Sequence, residues 1–220
     1  MRARRVQKLG AITVTEAPEP APSGPALRAA WAQTIAAQGL EFLPAGEAVA
    51  RLVDRVAFMA SLEPEQWPAW TMPLLAHTVD DWAGDVLESA IAADDITSGA
   101  LLQALRGQLD YGAQRRLDEE APETFATPLG SALKIDYAGD GRPAIDVRLQ
   151  EMFGLTRHPT IASGRARLLL RLLSPAHRPI QTTRDLPGFW AGSYAAVRAE
   201  MRGRYPKHPW PDDPASAEPT

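Results

Sequence analysis

Across residues 26–117 apolar side chains recur three and four positions apart, the spacing that lays one helix face against a core. In 26–39, Leu27, Ala30, Trp31 and Ile35 share a face, with Ser23 or Gly24 before Pro25 as a start and Gly39 placed as a C-terminal cap. Residues 45–61 repeat the pattern through Ala48, Leu52, Val53, Val56, Ala57 and Met59, which predicts a helical hairpin. Leu74, Leu75, Val79, Trp82, Val86 and Leu87 predict helix within 73–90. Leu101, Leu102, Leu105, Leu109 and Leu117 predict a helix over 98–117, opened by Thr97-Ser98 and weakened at Gly107 and Gly112.

At Ala121-Pro122 the period changes. Residues 123–127, 132–137, 144–149, 165–173 and 179–183 are strand-length runs, several alternating, separated by turn-forming PLGS, AGDGRP, HPTIASG and SPAHR; 149–153 reads as a helical turn. The helix expected over 186–204 carries Trp190, Tyr194, Val197 and Met201. After it, GRYPKHPWPDDP at 203–214 is a stiff extended arm, because prolines at 206, 209, 211 and 214 each fix φ and push the preceding residue out of helix. At the other end, residues 5–15 read as one strand with no neighbour to pair with, and 16–25 as a proline-rich linker. The strand either joins the distant C-terminal sheet or ends a domain that precedes it. The expected class is α+β: an N-terminal helical region, then a small mostly antiparallel β unit closed by a C-terminal helix and a proline-rich arm. Along the chain this gives strand and linker at 1–25, helical region at 26–120, α+β domain at 121–214 and tail at 215–220.

Charge is unevenly spread beneath a net value of −4. Residues 61–100 hold eight acids and no Lys or Arg, whereas 126–207 hold thirteen bases against six acids. The contrast points to a basic, nucleic-acid-facing C-terminal half; the competing reading is arginines that solvate strand and helix surfaces. Cysteine is absent, which excludes disulfides and thiolate chemistry and fits a reducing compartment. The basic N-terminus is followed by too short an apolar run for a secretory signal, and LLLRLL at 168–173 is far from the ~18–20 residues of a membrane span, so a cytoplasmic protein with no membrane partner is expected.

Motifs that carry chemistry are scarce. There is no GxxxxGK[ST] and no GxGxxG after a strand, and His77, His158, His177 and His208 lie in separate segments without ligand spacing. Adjacent carboxylates at 80–81, 94–95 and 212–213 diverge on a helix or strand and do not form an acid/base pair. Neither a catalytic residue nor a metal site is expected. Trp31, Trp67, Trp70 and Trp82 lie in helical surroundings and read as core anchors. Trp190 and Trp210 sit among bases, where aromatic faces either stack nucleobases or pin the arm to its own domain.

Residues 174–214, SPAHRPIQTTRDLPGFWAGSYAAVRAEMRGRYPKHPWPDDP, resemble the end of the HrpB-type ATP-dependent helicases, a bacterial branch of the DExH superfamily 2 enzymes. DVRLQEMFGL at 146–155 and RRLDEEAP upstream are similar to the same family, 26–117 matches it more loosely, and ETFATPLGSALKIDY departs from its usual basic or β-branched version. The resemblance implies that RRVQKLGAITV follows a helicase core, and that the family's ATP and Mg sites and helicase motifs lie in that core, with no cofactor in this chain. It also implies two alternatives for function. In one, the chain is an accessory platform whose Arg165, Arg167, Arg198, Arg202, Arg204 and Lys207 contact RNA while Trp190, Tyr194, Tyr205 and Trp210 act as structural anchors. In the other, it docks on the RecA-like core of the helicase or recruits a protein partner through its acidic helices.

Overall fold

The computed structural model describes residues 3–9, 12–19, 23–139 and 142–220. They divide into two compact units, one of residues 1–57 and 68–114, the other of residues 58–67 and 115–220. The architecture is α+β. Among the described residues no helix is long and apolar enough to cross a membrane, and no three His, Asp or Glu gather as a metal site.

In the first unit β1 (Ala3–Leu9) pairs antiparallel with β2 (Ile12–Glu19), Leu9 opposite Ile12 and Ala3 opposite Glu19. The stretch expected as one unpaired strand is thus a hairpin. Its apolar pattern runs unbroken across the reversal, so periodicity alone did not separate the two strands. β2 also takes in residues 16–19 of the expected linker; Pro18 is tolerated because each strand of a two-stranded ladder keeps one edge that needs no donor.

α1 (Pro25–Gln38) starts at Gly24, at φ 57°, and ends at Gly39, at φ 84°, whose N–H donates to the Ile35 carbonyl at 2.8 Å. α2 (Gly46–Leu62) requires its first residue to be glycine, since a Cβ there would lie 2.6 Å from the Leu40 carbonyl oxygen and 2.9 Å from Glu41 Cα. α3 (Met72–His77) is capped by Thr71, and α4 (Val79–Ser89) follows after one residue. α1 packs on α4, where the Trp31 indole donates to the Ala90 carbonyl at 2.6 Å, and the Trp82 indole donates to Leu75 at 3.0 Å. Leu27, Ile35, Val49, Leu52, Val79, Leu87 and Leu101 are buried in this unit, each worth roughly 1.5–3 kcal/mol of transfer free energy.

The helix expected over 98–117 is two helices, α5 (Ser98–Arg106) and α6 (Tyr111–Glu120). α5 stops at Gly107, and Asp110 restarts the chain by accepting the Ala113 N–H at 2.8 Å. Gln114 then donates to the Arg106 and Leu109 carbonyls, both at 2.9 Å, satisfying acceptors that the end of α5 leaves open.

The second unit contains β3 (Thr124–Ala126) paired antiparallel with β4 (Ala132–Lys134), then β5 (Ala144–Arg148) and a 3-10 turn, Leu149–Met152. Next come β6 (Thr160–Ile161) and β7 (Ala166–Arg167), antiparallel, followed by β8 (Leu169–Leu173) and β9 (Pro179–Thr183). The central sheet has the order β5-β8-β9, parallel between β5 and β8 and antiparallel between β8 and β9. The parallel register sets Ile145 beside Leu170 and Val147 beside Leu172, all four buried, and turns Asp146 and Arg171 to the other face. The single helix expected over 186–204 is again two, α7 (Leu186–Ala191) and α8 (Tyr194–Arg204), because Gly192 leaves helical geometry at φ −112°, ψ −97°.

Candidate nucleic-acid interface

The arm after α8 is built into the second unit. Trp210 is buried, its indole donates to the Tyr205 carbonyl at 3.0 Å, and its own carbonyl accepts from Arg198 Nε at 2.9 Å. The Tyr194 hydroxyl donates to the Pro211 carbonyl at 2.9 Å, Tyr205 donates to Ser174 Oγ at 3.3 Å, and the Gly154 N–H donates to the Pro214 carbonyl at 2.9 Å. Since four prolines remove backbone donors here, the contacts run through carbonyls and side chains. Behind the arm, Phe153, Phe189, Trp190 and Tyr194 form an aromatic cluster with ring centroids 5.1–6.4 Å apart, several edge to face. The Trp190 indole donates to Leu155 at 2.9 Å, and burial pushes the Tyr194 hydroxyl up to about 12.

The six basic side chains singled out in the sequence do not form one surface cluster of unpaired cations. Arg165 pairs with Glu63 at 2.5 Å and with Glu120, while Arg116 pairs with the same two carboxylates at 2.7 and 3.2 Å. This closed four-member network ties residues 58–67 to the rest of their unit. Arg116 also stacks over the Trp67 ring at 5.8 Å. Hydrogen bonds from Arg116 and then Arg165 hold the Glu63 carboxyl below its usual range. Arg198 pairs with Asp212, and Arg204 pairs with Glu200 one helical turn away at 3.0 Å. Arg202 and Lys207 are exposed and form no ion pair among the described residues. Arg171, brought by register opposite Asp146, reaches Asp136 at 2.6 Å and Asp146 at 3.5 Å, and holds the Asp136 carboxyl low.

Arg167 is placed differently. One of its guanidinium nitrogens donates to the Arg184 carbonyl at 3.3 Å, and Arg184 donates to the Arg167 carbonyl at 3.3 Å, so each cation is seated on the other's main chain. With Arg165 they line a cavity of about 520 Å³ whose other walls include Phe58, Leu62, Pro143 and Ala166. Nothing in the sequence spacing marks Arg184, seventeen residues from its partner, as belonging with Arg167. Close by, His158 bridges two segments: one ring nitrogen, Nε2, donates to the Leu168 carbonyl at 2.7 Å and Nδ1 accepts the Leu186 N–H at 3.1 Å. That pattern fixes the neutral tautomer. Burial holds His158 below the usual histidine range, with Arg167 and Arg184 adding to the effect and Asp185 opposing it.

In the first unit a second cavity, about 470 Å³, is lined by Arg28, Asp80, Asp81, Asp85, Gln103 and Gln108 among others. Arg28 donates to Asp80 Oδ1 at 2.5 Å and lies where a Cβ on residue 84 would stand, which accounts for Gly84 in the middle of α4. Of the tryptophans read as core anchors Trp31, Trp67 and Trp82 are buried, but Trp70 is only half-buried in this acidic region. Its exposed apolar side chains are instead Leu74, Ile91 and Tyr111, at 48, 63 and 82% exposure.

A family described as ATP-dependent helicase C-terminal matches residues 82–214. The ATP-dependent RNA helicase HrpB of Escherichia coli (strain K12) is 43% identical over 221 residues, covering 100% of this chain and 27% of that protein. A crystal structure of the E. coli DExH-box NTPase HrpB aligns with a TM-score of 0.78 at 41% identity, over 99% of this chain and 27% of that one. A second, of the E. coli DEAH/RHA helicase HrpB, aligns with a TM-score of 0.65 at 39% identity, over 94% and 26%. The chain therefore spans about a quarter of the length of the relatives it matches. From the matched residues 82–214, the arm and aromatic cluster they contain, and the whole-chain identity, the chain belongs to the HrpB family of ATP-dependent helicases, in its C-terminal region.

Proposed function

We propose that this chain is the accessory platform of an ATP-dependent RNA helicase, docking on the remainder of that enzyme, which supplies the ATP and Mg chemistry. The observation that carries the reading is the engagement of basic side chains: Arg165, Arg198 and Arg204 are held in ion pairs within the chain. A surface built to wrap a polyanion leaves such cations open. The docking surface is set on the acidic stretch, where Leu74 and Ile91 are exposed apolar side chains and Asp81, Asp85 and Asp94 are exposed, with Tyr111 exposed at the start of α6. Its occupant is the rest of the helicase, the three quarters of its relatives that this chain does not span.

The test mixes this chain with the separately produced remainder of the helicase and follows sedimentation. A complex that Ile91→Asp/Tyr111→Asp weakens at least tenfold is the expected result. No complex at micromolar concentrations, or one indifferent to both substitutions, would overturn it.

A further inference from the structure

We propose that Arg167 and Arg184 form a phosphate-binding fork at the rim of the second unit's cavity, and that its ligand is the backbone of a single RNA strand. Both guanidiniums are exposed, and neither has a carboxylate partner among the described residues. Neighbouring arginines of the same unit, Arg165, Arg171 and Arg198, are all paired with acids. Each of the two spends one donor on the other's carbonyl, which fixes both side chains and leaves several N–H groups of each five-donor fork available. Both cations line the same cavity with no carboxylate among the described residues to neutralise them, and a bound oxyanion supplies that neutralisation.

The surroundings support the assignment. Arg165 lies next to the fork but is neutralised by Glu63 and Glu120, so the positive field at the cavity comes from Arg167 and Arg184. Asp185, the carboxylate next in sequence, accepts the Gly188 N–H at 3.2 Å as a helix cap. Burial favours the neutral form of His158, whose Nδ1 accepts the Leu186 N–H, so the ring adds no charge of either sign. The backbone leading into β7 passes through three consecutive residues at positive φ, Ala162 at 51°, Ser163 at 55° and Gly164 at 87°. Two of these are not glycine, so the chain holds strain immediately before the segment that presents Arg167. A volume of about 520 Å³ lies within the roughly 300–1,000 Å³ of small-molecule sites and admits a nucleotide unit, its sugar and base against Leu62, Pro143 and Ala166.

The identity of the strand as RNA rests on the reading as part of an RNA helicase; the fork does not. The experiment titrates the 220-residue chain with fluorescent single-stranded RNA across a salt series, beside inorganic phosphate, a mononucleotide and a glutamate-rich peptide of equal charge. In Arg167→Gln/Arg184→Gln, affinity should fall at least about tenfold, and the salt slope should flatten by about 1.4, the loss of two single-strand phosphate contacts at ~0.7 each. Arg167→Lys/Arg184→Lys keeps the charge and loses the fork; it should retain the salt slope with intermediate affinity while melting as the parent chain does. Arg202→Gln/Lys207→Gln should bind as the parent. Loss of binding in that variant instead, equal binding in the glutamine variant, tighter binding of the acidic peptide, or phosphate and mononucleotide binding as tightly as the strand would each overturn the proposal. Docking is read by sedimentation with different substitutions, so the two fail separately.

Discussion

In the first unit Asp95 accepts the N–H groups of Ile91 and Ala92, Asp110 caps α6 and Asp80 meets Arg28, so carboxylates there mostly finish helices and turns. In the second unit Arg116, Arg165, Arg171 and Arg198 each join segments far apart in sequence. Element length accounts for the contrast. Helices of fourteen and seventeen residues bury whole apolar faces, whereas strands of two to five residues bury little and leave many ends to tie down. A guanidinium with five donors in a planar fork is suited to that task, reaching carboxylates and carbonyls together. Basic composition in such a unit is therefore first a sign of cross-linking, and the cations that matter for a ligand are those left without a carboxylate.

The largest effect is expected from removing the buried anchor of the arm. Trp210→Ala should cost about 3–5 kcal/mol of stability, read by urea unfolding, while RNA affinity measured well below the midpoint stays within a factor of about two. Equal unfolding midpoints would show that the arm is not held by this ring. In the first unit, where apolar packing dominates, Gly46→Ala forces a Cβ onto the Leu40 and Glu41 backbone and should cost about 1–3 kcal/mol; no change in the unfolding curve would contradict that geometry.

Two smaller effects separate the uses of charge. Glu63→Gln should lower the melting temperature at low salt and less so at high salt, since it opens a network that is partly exposed. The Glu63 carboxyl titrates below its ordinary 4.5 in the fold, so its contribution is present above that pH and lost as pH falls through the lower folded value. The difference between parent and variant should vanish there. His158 works in a milder range. The fold favours its neutral form, so the unfolded chain takes up the proton first: stability is complete above 6.5 and declines as pH drops from 6.5 toward the lower folded value. His158→Gln should flatten that part of the melting profile, and a parent chain with no slope there would show that the ring is free to ionise.

Helices that bury one clean face were legible from spacing alone. α1 starts after Gly24 with Pro25 in its first turn and ends at Gly39, as read, because all three residues act through local backbone geometry. Boundaries set by competition were not. Gly107 with Asp110, and Gly192 with Ser193, each split a continuous periodic run, since the run keeps its phase across a short break. The hairpin of β1 and β2 was missed for the same reason.

The α+β class, the change of period at residue 121, the stiff arm and the family were all readable in the chain, since they rest on local pattern or on a long specific motif run. Which cations are engaged depends on contacts between distant segments. Arg165 meets Glu63 across 102 positions, Arg171 meets Asp136 across 35, and Arg167 meets the Arg184 carbonyl across 17. Those partnerships follow from strand register and chain reversal, long-range geometry that no local spacing encodes, and the electrostatics of the site follow from them.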